Sequence, residues 1–372
     1  MDLTDLLKYT HKVSASDLHI TVGIPPMVRV DGTLKPVEGW PKLMPEHTKA
    51  LTYSILTKEQ IRELEKSKEL DLSYGLQSLG RYRLNVYFQR GSVGMAIRVI
   101  SNRIPTIDEL GLPPIIKNFS QTDKGLVLVT GPTGSGKSTT LAAMIEFINK
   151  NRSAHIMTIE DPIEYLYRHN KCIINQRQIH EDTLSFHEAL RRVLRQDPDV
   201  VLIGEMRDIE TVEVALTLAE TGHLVLATLH TSDASQTINR IIDIFPPGQQ
   251  DQIRVQLSFV MVGVVSQQLL PRLNGRGRVL SLEILLANSA VRNTIRENEV
   301  HQIQNILETG SKDGMFTMNA SLVRLWRDKL ISRDVAMNKS TNPKQLLRLM
   351  EKYQHGLQGP QDGQYRPGGR TG

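Results

Sequence analysis

Residues 125–139 read GLVLVTGPTGSGKST, an apolar run that leads into the pattern Gly-x-x-x-x-Gly-Lys-Ser. The apolar run 126–129 predicts a buried parallel strand. Gly131, Gly134 and Gly136 allow the loop after it backbone angles that other residues avoid. Such a loop can turn successive N–H groups toward a phosphate, and the helix that follows adds the positive end of its dipole. The stretch therefore predicts a strand, a phosphate-binding loop and a helix in succession, which is the start of an α/β fold.

The end of this loop predicts the chemistry of ATP binding. Lys137 would reach the β- and γ-phosphates, and the Ser138 hydroxyl would bind Mg²⁺. The alternative is a glycine-rich connector that happens to carry Lys-Ser, but the strand before it and the amphipathic helix after it argue against that. The residues predicted to bind the nucleotide are Gly131, Pro132, Thr133, Gly134, Ser135, Gly136, Lys137, Ser138 and Thr139.

Bulk composition narrows the class of protein. The 372 residues suffice for two or three domains, and 40% hydrophobic with 23% charged residues is ordinary for a soluble protein. The opening MDLTDLLKY has acids where a signal peptide would be basic, and the apolar stretch 257–265 is too short to cross a bilayer. A single cysteine, Cys172, excludes an intramolecular disulfide and a multi-cysteine zinc site. We expect a cytoplasmic protein without a membrane span.

The pattern along the chain predicts four segments: an α+β domain at 1–100, a proline-containing linker at 101–117, an ATPase domain at 118–353 and a disordered tail at 354–372. In the first, Val30-Asp31-Gly32-Thr33 predicts a hairpin, and 81–100 alternates in polarity as a strand does. In the third, apolar runs at 126–130, 155–159, 199–203 and 223–228 alternate with helical patterns, which predicts a parallel sheet. Beyond Pro246 we expect a helix at 249–270, a strand at 278–286 and further helices at 289–308 and 316–330.

Acidic residues follow two of the predicted strands. Glu160-Asp161-Pro162-Ile163-Glu164 comes directly after one of them and could bind Mg²⁺ through water or orient an attacking water, although Asp-Pro also starts simple turns. The run Asp199 to Glu205 ends another strand in a carboxylate, as a Walker B element does to hold Mg²⁺ or polarise water. These residues predict a hydrolytic site at the carboxyl edge of the sheet.

Two basic residues complete the candidate set. His230 follows a third apolar strand and could contact the γ-phosphate or sense its loss, although a lone histidine is more often structural. Arg81, on an alternating strand of the first domain, could supply a guanidinium group to the phosphates, and its alternative is a solvated surface position. The candidate catalytic residues are Glu205, Glu164, His230 and Arg81, and the candidate metal ligands are Ser138 and Glu205.

The segments TGPTGSGKSTT, TIEDPIEY, DVVLIGEMRD and TGHLVLATLHT resemble, in this order, the Walker A, Asp box, Walker B and His box of the secretion ATPase superfamily. The opening SASDLHITVGIPPMVRVDG and the segment GLVLVTGPTG are similar to the PilT-type twitching-motility proteins, the type IV pilus retraction ATPases. The resemblance runs from Asp2 to about Met350 and leaves only the tail.

This resemblance implies a PAS-like N-terminal domain joined to a RecA-like ATPase domain with a helical C-terminal part. It also implies a homo-hexamer that binds ATP and Mg²⁺ between the two domains and turns an inner-membrane platform protein, so that pilin leaves the base of the pilus. In the family pattern Glu205 is the main catalytic carboxylate and Glu164 assists. The location implied is cytoplasmic and peripheral, at the inner-membrane base of the pilus machine, with a paralogous retraction ATPase as a further partner.

Two departures and three alternatives accompany the resemblance. The segment 290–296, AVRNTIR, resembles the family motif AIRNLIR, which is needed for retraction, but carries Val291 and Thr294. An accessory PilU-type retraction ATPase is one alternative. A nucleic-acid motor is another, yet it would need basic, aromatic-interleaved segments, and aromatic residues are only 5% of the chain, so we expect no nucleic-acid partner. A non-hydrolysing assembly protein is the third, and the complete set of catalytic motifs argues against it.

Overall fold

The computed structural model describes residues 2–30, 32–76, 80–100, 103–275 and 277–354. The chain divides into two compact units, of which the first ends at Arg103 and the second begins at Ile104. In the part of the chain that is described, no helix has both the length and the apolar character needed to cross a bilayer. Of the tail predicted to be disordered, only Gln354 lies within the described residues, where it ends a helix.

The first unit is an antiparallel sheet with three helices. The strands are β1 Asp17–Ile20, β2 Met27–Val30, β3 Thr33–Pro36, β4 Glu69–Leu76, β5 Gly80–Gln89 and β6 Ser92–Ile100, in the sheet order β3-β2-β1-β6-β5-β4. The helices are α1 Leu3–Lys12, α2 Pro45–Tyr53 and α3 Lys58–Ser67.

The alternating polarity of β5 sets the core of this unit. Tyr82, Leu84 and Val86 are fully buried, whereas Arg83 between them is exposed, because successive residues of a strand point to opposite faces. Val30 pairs with Thr33 across the predicted two-residue turn, although Asp31 itself lies outside the described residues. The result is the α+β architecture that the sequence predicts.

The second unit is an α/β fold. Its strands are β7 Gly125–Thr130, β8 His155–Glu160, β9 Ile173–Gln178, β10 Val200–Ile203, β11 Leu224–Leu229, β12 Met261–Pro271 and β13 Arg278–Leu286. Its helices are α4 Ile115–Gln121, α5 Lys137–Asn151, α6 Phe186–Val193, α7 Ile209–Glu220, α8 Ala234–Asp243, α9 Pro247–Val260, α10 Ser289–Arg296, α11 Ile303–Thr309, α12 Met318–Arg327, α13 Arg333–Lys339 and α14 Pro343–Gln354. Short 3₁₀ turns cover Val300–Gln302 and Gly310–Asp313.

The seven strands of this unit form one sheet in the order β13-β12-β7-β11-β10-β8-β9. Neighbouring strands from β12 to β9 run parallel, and β13 adds an antiparallel edge. Every residue of β7, β10 and β11 is buried, as expected where helices cover both faces of a parallel sheet. The carboxyl ends of β7, β8, β10 and β11 therefore meet at one edge, which is where the predicted site residues lie.

Two predictions require correction. The segment 261–270 is not the second half of a helix, because α9 ends at Val260 and the chain continues as β12, which pairs with β7 on one side and β13 on the other. The predicted linker 101–117 belongs to the second unit from Ile104 onward, where Ile107, Leu112 and Ile116 are buried in its core. In both segments the structure is decided by burial against residues that are distant in the sequence. The local sequence pattern does not encode such contacts.

Candidate nucleotide site at the carboxyl edge of the parallel sheet

The glycine-rich loop between β7 and α5 has the backbone conformation that its glycines predict. Gly131, Gly134 and Gly136 have φ values of +141°, +75° and +90°, which residues with a Cβ adopt only at a cost. At Gly131 a Cβ would also collide with the backbone oxygen of Gln267. The loop leads into a helix of 15 residues that begins at Lys137, so the positive end of its dipole faces the loop.

Lys137 is folded back over this loop and is only 9% exposed. Its Nζ donates to the carbonyl oxygens of Gly131, at 2.8 Å, and Pro132, at 3.2 Å. Burial lowers the pKa of the ammonium group, and the charge of Glu205 opposes this shift. A buried ammonium group that rests on two uncharged carbonyl oxygens gains by meeting negatively charged phosphate oxygens, so the loop fits a nucleotide polyphosphate.

Glu205 directly follows Gly204, the residue after the end of β10, and two side chains contact its carboxylate. Oε2 accepts a hydrogen bond from Arg207 at 2.6 Å, and Oε1 lies 3.2 Å from Nε2 of His230. Burial raises the pKa of Glu205, but the hydrogen bond from Arg207 and the charges of His230 and Arg207 outweigh it, and the net pKa is lowered. The carboxylate is therefore ionised at neutral pH, as polarising a water molecule requires.

The acidic cluster after β8 separates into two kinds of carboxyl group. Glu160 is buried, accepts a hydrogen bond from Thr158 at 2.7 Å, and has its pKa raised by burial to about 7. Glu164 is exposed. The next residue, Tyr165, has its hydroxyl 2.9 Å from Oγ1 of Thr139, which connects this cluster to the first turn of α5. Glu160 is therefore a structural carboxyl, whereas Glu164, like the exposed Asp161, is accessible to a water molecule or substrate.

The predicted magnesium ligands can be compared with the side chains at this edge of the sheet. Among the residues that the structure describes, no group of three or more His, Cys, Asp or Glu side chains could hold a metal ion. The Ser138 hydroxyl is exposed in the first turn of α5. A Mg²⁺ ion that takes one hydroxyl, water and phosphate oxygens needs no cage of protein ligands, and the metal roles of Ser138 and Glu205 stay predictions.

Arg81 lies in the first unit, on β5, where it pairs with Gly75 and Ile100 and is partly exposed. The loop, Glu164, Glu205 and His230 all belong to the second unit. The role of Arg81 at the nucleotide site therefore stays a prediction.

Sequence reasoning missed three residues that contact the site. Arg207, two positions after Glu205, and Tyr165, directly after Glu164, lie inside the motifs, and their proximity along the chain was the available signal. Gln267 lies on β12, in the segment that was predicted as a helix. Only a correct prediction of this strand would have pointed to it. It donates from Nε2 to the carbonyl of Ser135 at 2.7 Å.

The fold and this edge define a P-loop nucleotide site of the RecA type, and comparison with known proteins specifies the class. Residues 91–312 match the family described as Type II/IV secretion system protein, which is more than half of the chain. The chain belongs to this family of secretion ATPases.

Within the family, the similarity extends over nearly the whole chain. The Type IV pilus retractation ATPase PilT of Pseudomonas aeruginosa is 46% identical, over 92% of this chain and 99% of that protein. The Twitching motility protein of Neisseria gonorrhoeae is 46% identical over 85% of this chain and 84% of its own length, and the Type IV pilus ATPase PilU of P. aeruginosa is 41% identical over 95% and 92%. A crystal structure of the pilus retraction motor PilT with bound ADP matches with a TM-score of 0.88 at 49% identity, over 94% of this chain and 99% of that one. These likenesses confirm the resemblance and the fold class predicted from the motifs.

Proposed function

We propose that this chain is the ATP-hydrolysing subunit of a motor that retracts type IV pili and so drives twitching motility. The observation that carries the proposal is the arrangement of Lys137 on the loop and an ionised Glu205 bonded to His230 at the same edge of the sheet. The likeness to PilT over almost the full length, including the first unit, supports the choice of pilus retraction among the tasks of secretion ATPases.

We assign the residues of the site separate roles in the hydrolysis of ATP to ADP and phosphate. The loop N–H groups and the start of α5 bind the phosphates, and Lys137 exchanges its two carbonyl acceptors for phosphate oxygens. Bound at Ser138, Mg²⁺ would neutralise charge that develops on the phosphates. Glu205 orients and polarises the attacking water, and exposed Glu164 assists it.

His230 connects this chemistry to conformational change. Its Nε2 contacts the carboxylate of Glu205, so a change at the γ-phosphate position alters the partners of both residues. His230 also directly follows β11 and precedes α8, whose first residue is Ala234. A movement of His230 on loss of the γ-phosphate can therefore reach α8 through the three residues that separate them.

Conversion to mechanical work needs an assembly. We propose a homo-hexamer at the cytoplasmic side of the inner membrane, at the base of the pilus machine, in which Arg81 of the first unit completes the nucleotide site. Rotation of the two units on hydrolysis then acts on an inner-membrane platform protein. The similarity to PilU supports a paralogous retraction ATPase as an additional partner.

The two departures from the family's retraction motif are compatible with this role. Val291 and Thr294 are buried, at 0% and 5% exposure, and the Thr294 hydroxyl donates to the Ala290 carbonyl of its own helix. The exposed positions of α10 within the motif keep the family residues, Ala290, Asn293 and Arg296. The substitutions therefore leave the surface of the motif unchanged.

Deletion of the gene tests the pilus function. We expect excess surface pili and lost twitching, restored by the wild-type gene but not by Glu205→Gln, because pili continue to be assembled while disassembly stops. Normal pilus number and movement after deletion would contradict the proposal. Retraction that survives single deletion, and fails only when a paralogue is deleted as well, would assign the chain to the accessory class that the likeness to PilU makes the second candidate.

A further inference from the structure

Gln267 is a fully buried amide beside the phosphate-binding loop, yet it belongs to no motif. It is 1% exposed and lies on β12, the strand that runs parallel to β7 and is paired with it up to Ser266 and Thr130. The residue after Thr130 is the first of the loop. Gln267 is therefore the first residue of β12 beyond the last pair with β7, level with the point where the loop leaves the sheet.

Three positions of the loop touch this residue. Its Nε2 donates to the Ser135 carbonyl at 2.7 Å, and the bond is buried. Its backbone oxygen lies too close to Gly131 for that residue to carry a Cβ, and its Nε2 lies 3.3 Å from the Cβ position of Gly136. The backbone and the side chain of Gln267 thus contact both the start and the end of the loop.

The bond to Ser135 has a consequence for the next amide. In a trans peptide the C=O and the following N–H point in opposite directions. Holding the Ser135 carbonyl toward β12 therefore turns the Gly136 N–H away from β12. Since backbone N–H groups of such a loop bind phosphate, the direction of this N–H bears on nucleotide affinity.

The contact between Gln267 and Ser135 also contains unpaired polar atoms. Within the described part of the chain, two buried polar atoms have no hydrogen-bond partner here, Oε1 of Gln267 and Oγ of Ser135. They belong to the same two residues that Nε2 connects. Because buried polar atoms are rarely left unpaired, these two atoms leave unused hydrogen-bonding capacity at the contact between Gln267 and the loop.

We propose that Gln267 is a positioning residue for the phosphate-binding loop, which sets the direction of the Gly136 N–H and thereby the affinity for the nucleotide. This inference rests on the proposed function, since it concerns the same nucleotide site. The side chain of Gln267 acts through its hydrogen bond to the loop, so its effect falls on binding and not on the chemical step.

The test compares two adjacent glutamines in the full-length protein. Gln267→Leu removes the donor at similar volume, whereas Gln268→Leu changes the next residue of β12, which points to the opposite face and is partly exposed. We expect ADP to bind Gln267→Leu about tenfold more weakly, because the loop is then no longer held in its binding conformation before the nucleotide arrives. KM for ATP should rise in parallel while kcat stays within about twofold. Gln268→Leu should match the wild type in both.

Controls keep the outcomes distinct. Thermal unfolding without nucleotide shows whether each variant folds, and Gln267→Met, which keeps the unbranched side chain, carries the test if the leucine variant does not. Unchanged ADP affinity in a folded Gln267 variant would overturn the inference, as would a fall in kcat without a change in affinity. Wild-type protein that binds no ADP would instead refute the proposed function itself.

Discussion

Glu283 offers a quantitative prediction about pH. It is 3% exposed on β13, and its two carboxylate oxygens accept the N–H of Ala234 at 2.9 Å and of Met318 at 3.1 Å. Those residues are the first of α8 and of α12. Burial raises the pKa of Glu283 to about 7, against the lowering effect of these two hydrogen bonds. The carboxyl group thus links the start of α8, the helix after His230, to the start of α12. Its pKa of about 7 means that it titrates near neutral pH.

The sign of the effect follows from linkage. An unfolded glutamate has a pKa of 4.5, so between 4.5 and about 7 the folded chain holds a proton that the unfolded chain has lost. The free energy of unfolding is therefore highest below pH 4.5 with respect to this group and falls as the pH rises to about 7. A difference between about 7 and 4.5 corresponds to about 3 kcal/mol. Glu160, also with a pKa of about 7, adds to the fall in the same direction.

The perturbation is Glu283→Gln, which cannot ionise. Urea unfolding is followed by tryptophan fluorescence in the background Trp40→Phe, so that the signal reports on Trp326 of α12, and it gives the free energy of unfolding at pH 5 and pH 8. We expect the variant to lose about 2–3 kcal/mol less than the wild type between these two pH values. The control Glu297→Gln changes a glutamate whose side chain is 58% exposed, and it should keep the wild-type pH dependence. Equal pH dependence in wild type and Glu283→Gln would refute the reasoning.

Further predictions concern the catalytic residues. Glu205→Gln should retain ADP affinity but hydrolyse ATP at least about 10²-fold more slowly, because its amide cannot act as a base, and wild-type turnover would remove Glu205 from the mechanism. Arg81→Ala should lower ATP hydrolysis without changing the circular dichroism of the chain, whereas Arg90→Ala, in the exposed turn after β5, should not. Unchanged kinetics for Arg81→Ala would make that residue a solvated surface position.

The sequence was most informative where local pattern and chemistry coincide. The loop from Gly131 to Lys137 needs glycines for its positive φ values and a lysine for the phosphates. Its structure can therefore be inferred from its amino-acid sequence alone. The buried strands β7, β10 and β11 are short apolar runs between polar turns, and they too could be predicted. Glu205 and His230 follow such runs, which places both at the same sheet edge.

Sequence was least informative where distant contacts decide the structure. The apolar run 261–270 suits a buried helix and a buried strand equally, and only its pairing with β7 and β13 makes it β12. Because this segment was predicted as a helix, Gln267 was not predicted as a residue of the site. Similarly, Ile107 and Leu112 lie among prolines that suggest a linker, yet both are buried in the core of the second unit.

The release of inorganic phosphate by the purified full-length protein tests the central claim most directly. Given Mg²⁺ and ATP, the wild type should release phosphate continuously, and Lys137→Ala should release none above background, since it lacks the ammonium group that now rests on Gly131 and Pro132. A folded wild-type protein that releases no phosphate, or a Lys137→Ala variant as active as the wild type, would contradict the account.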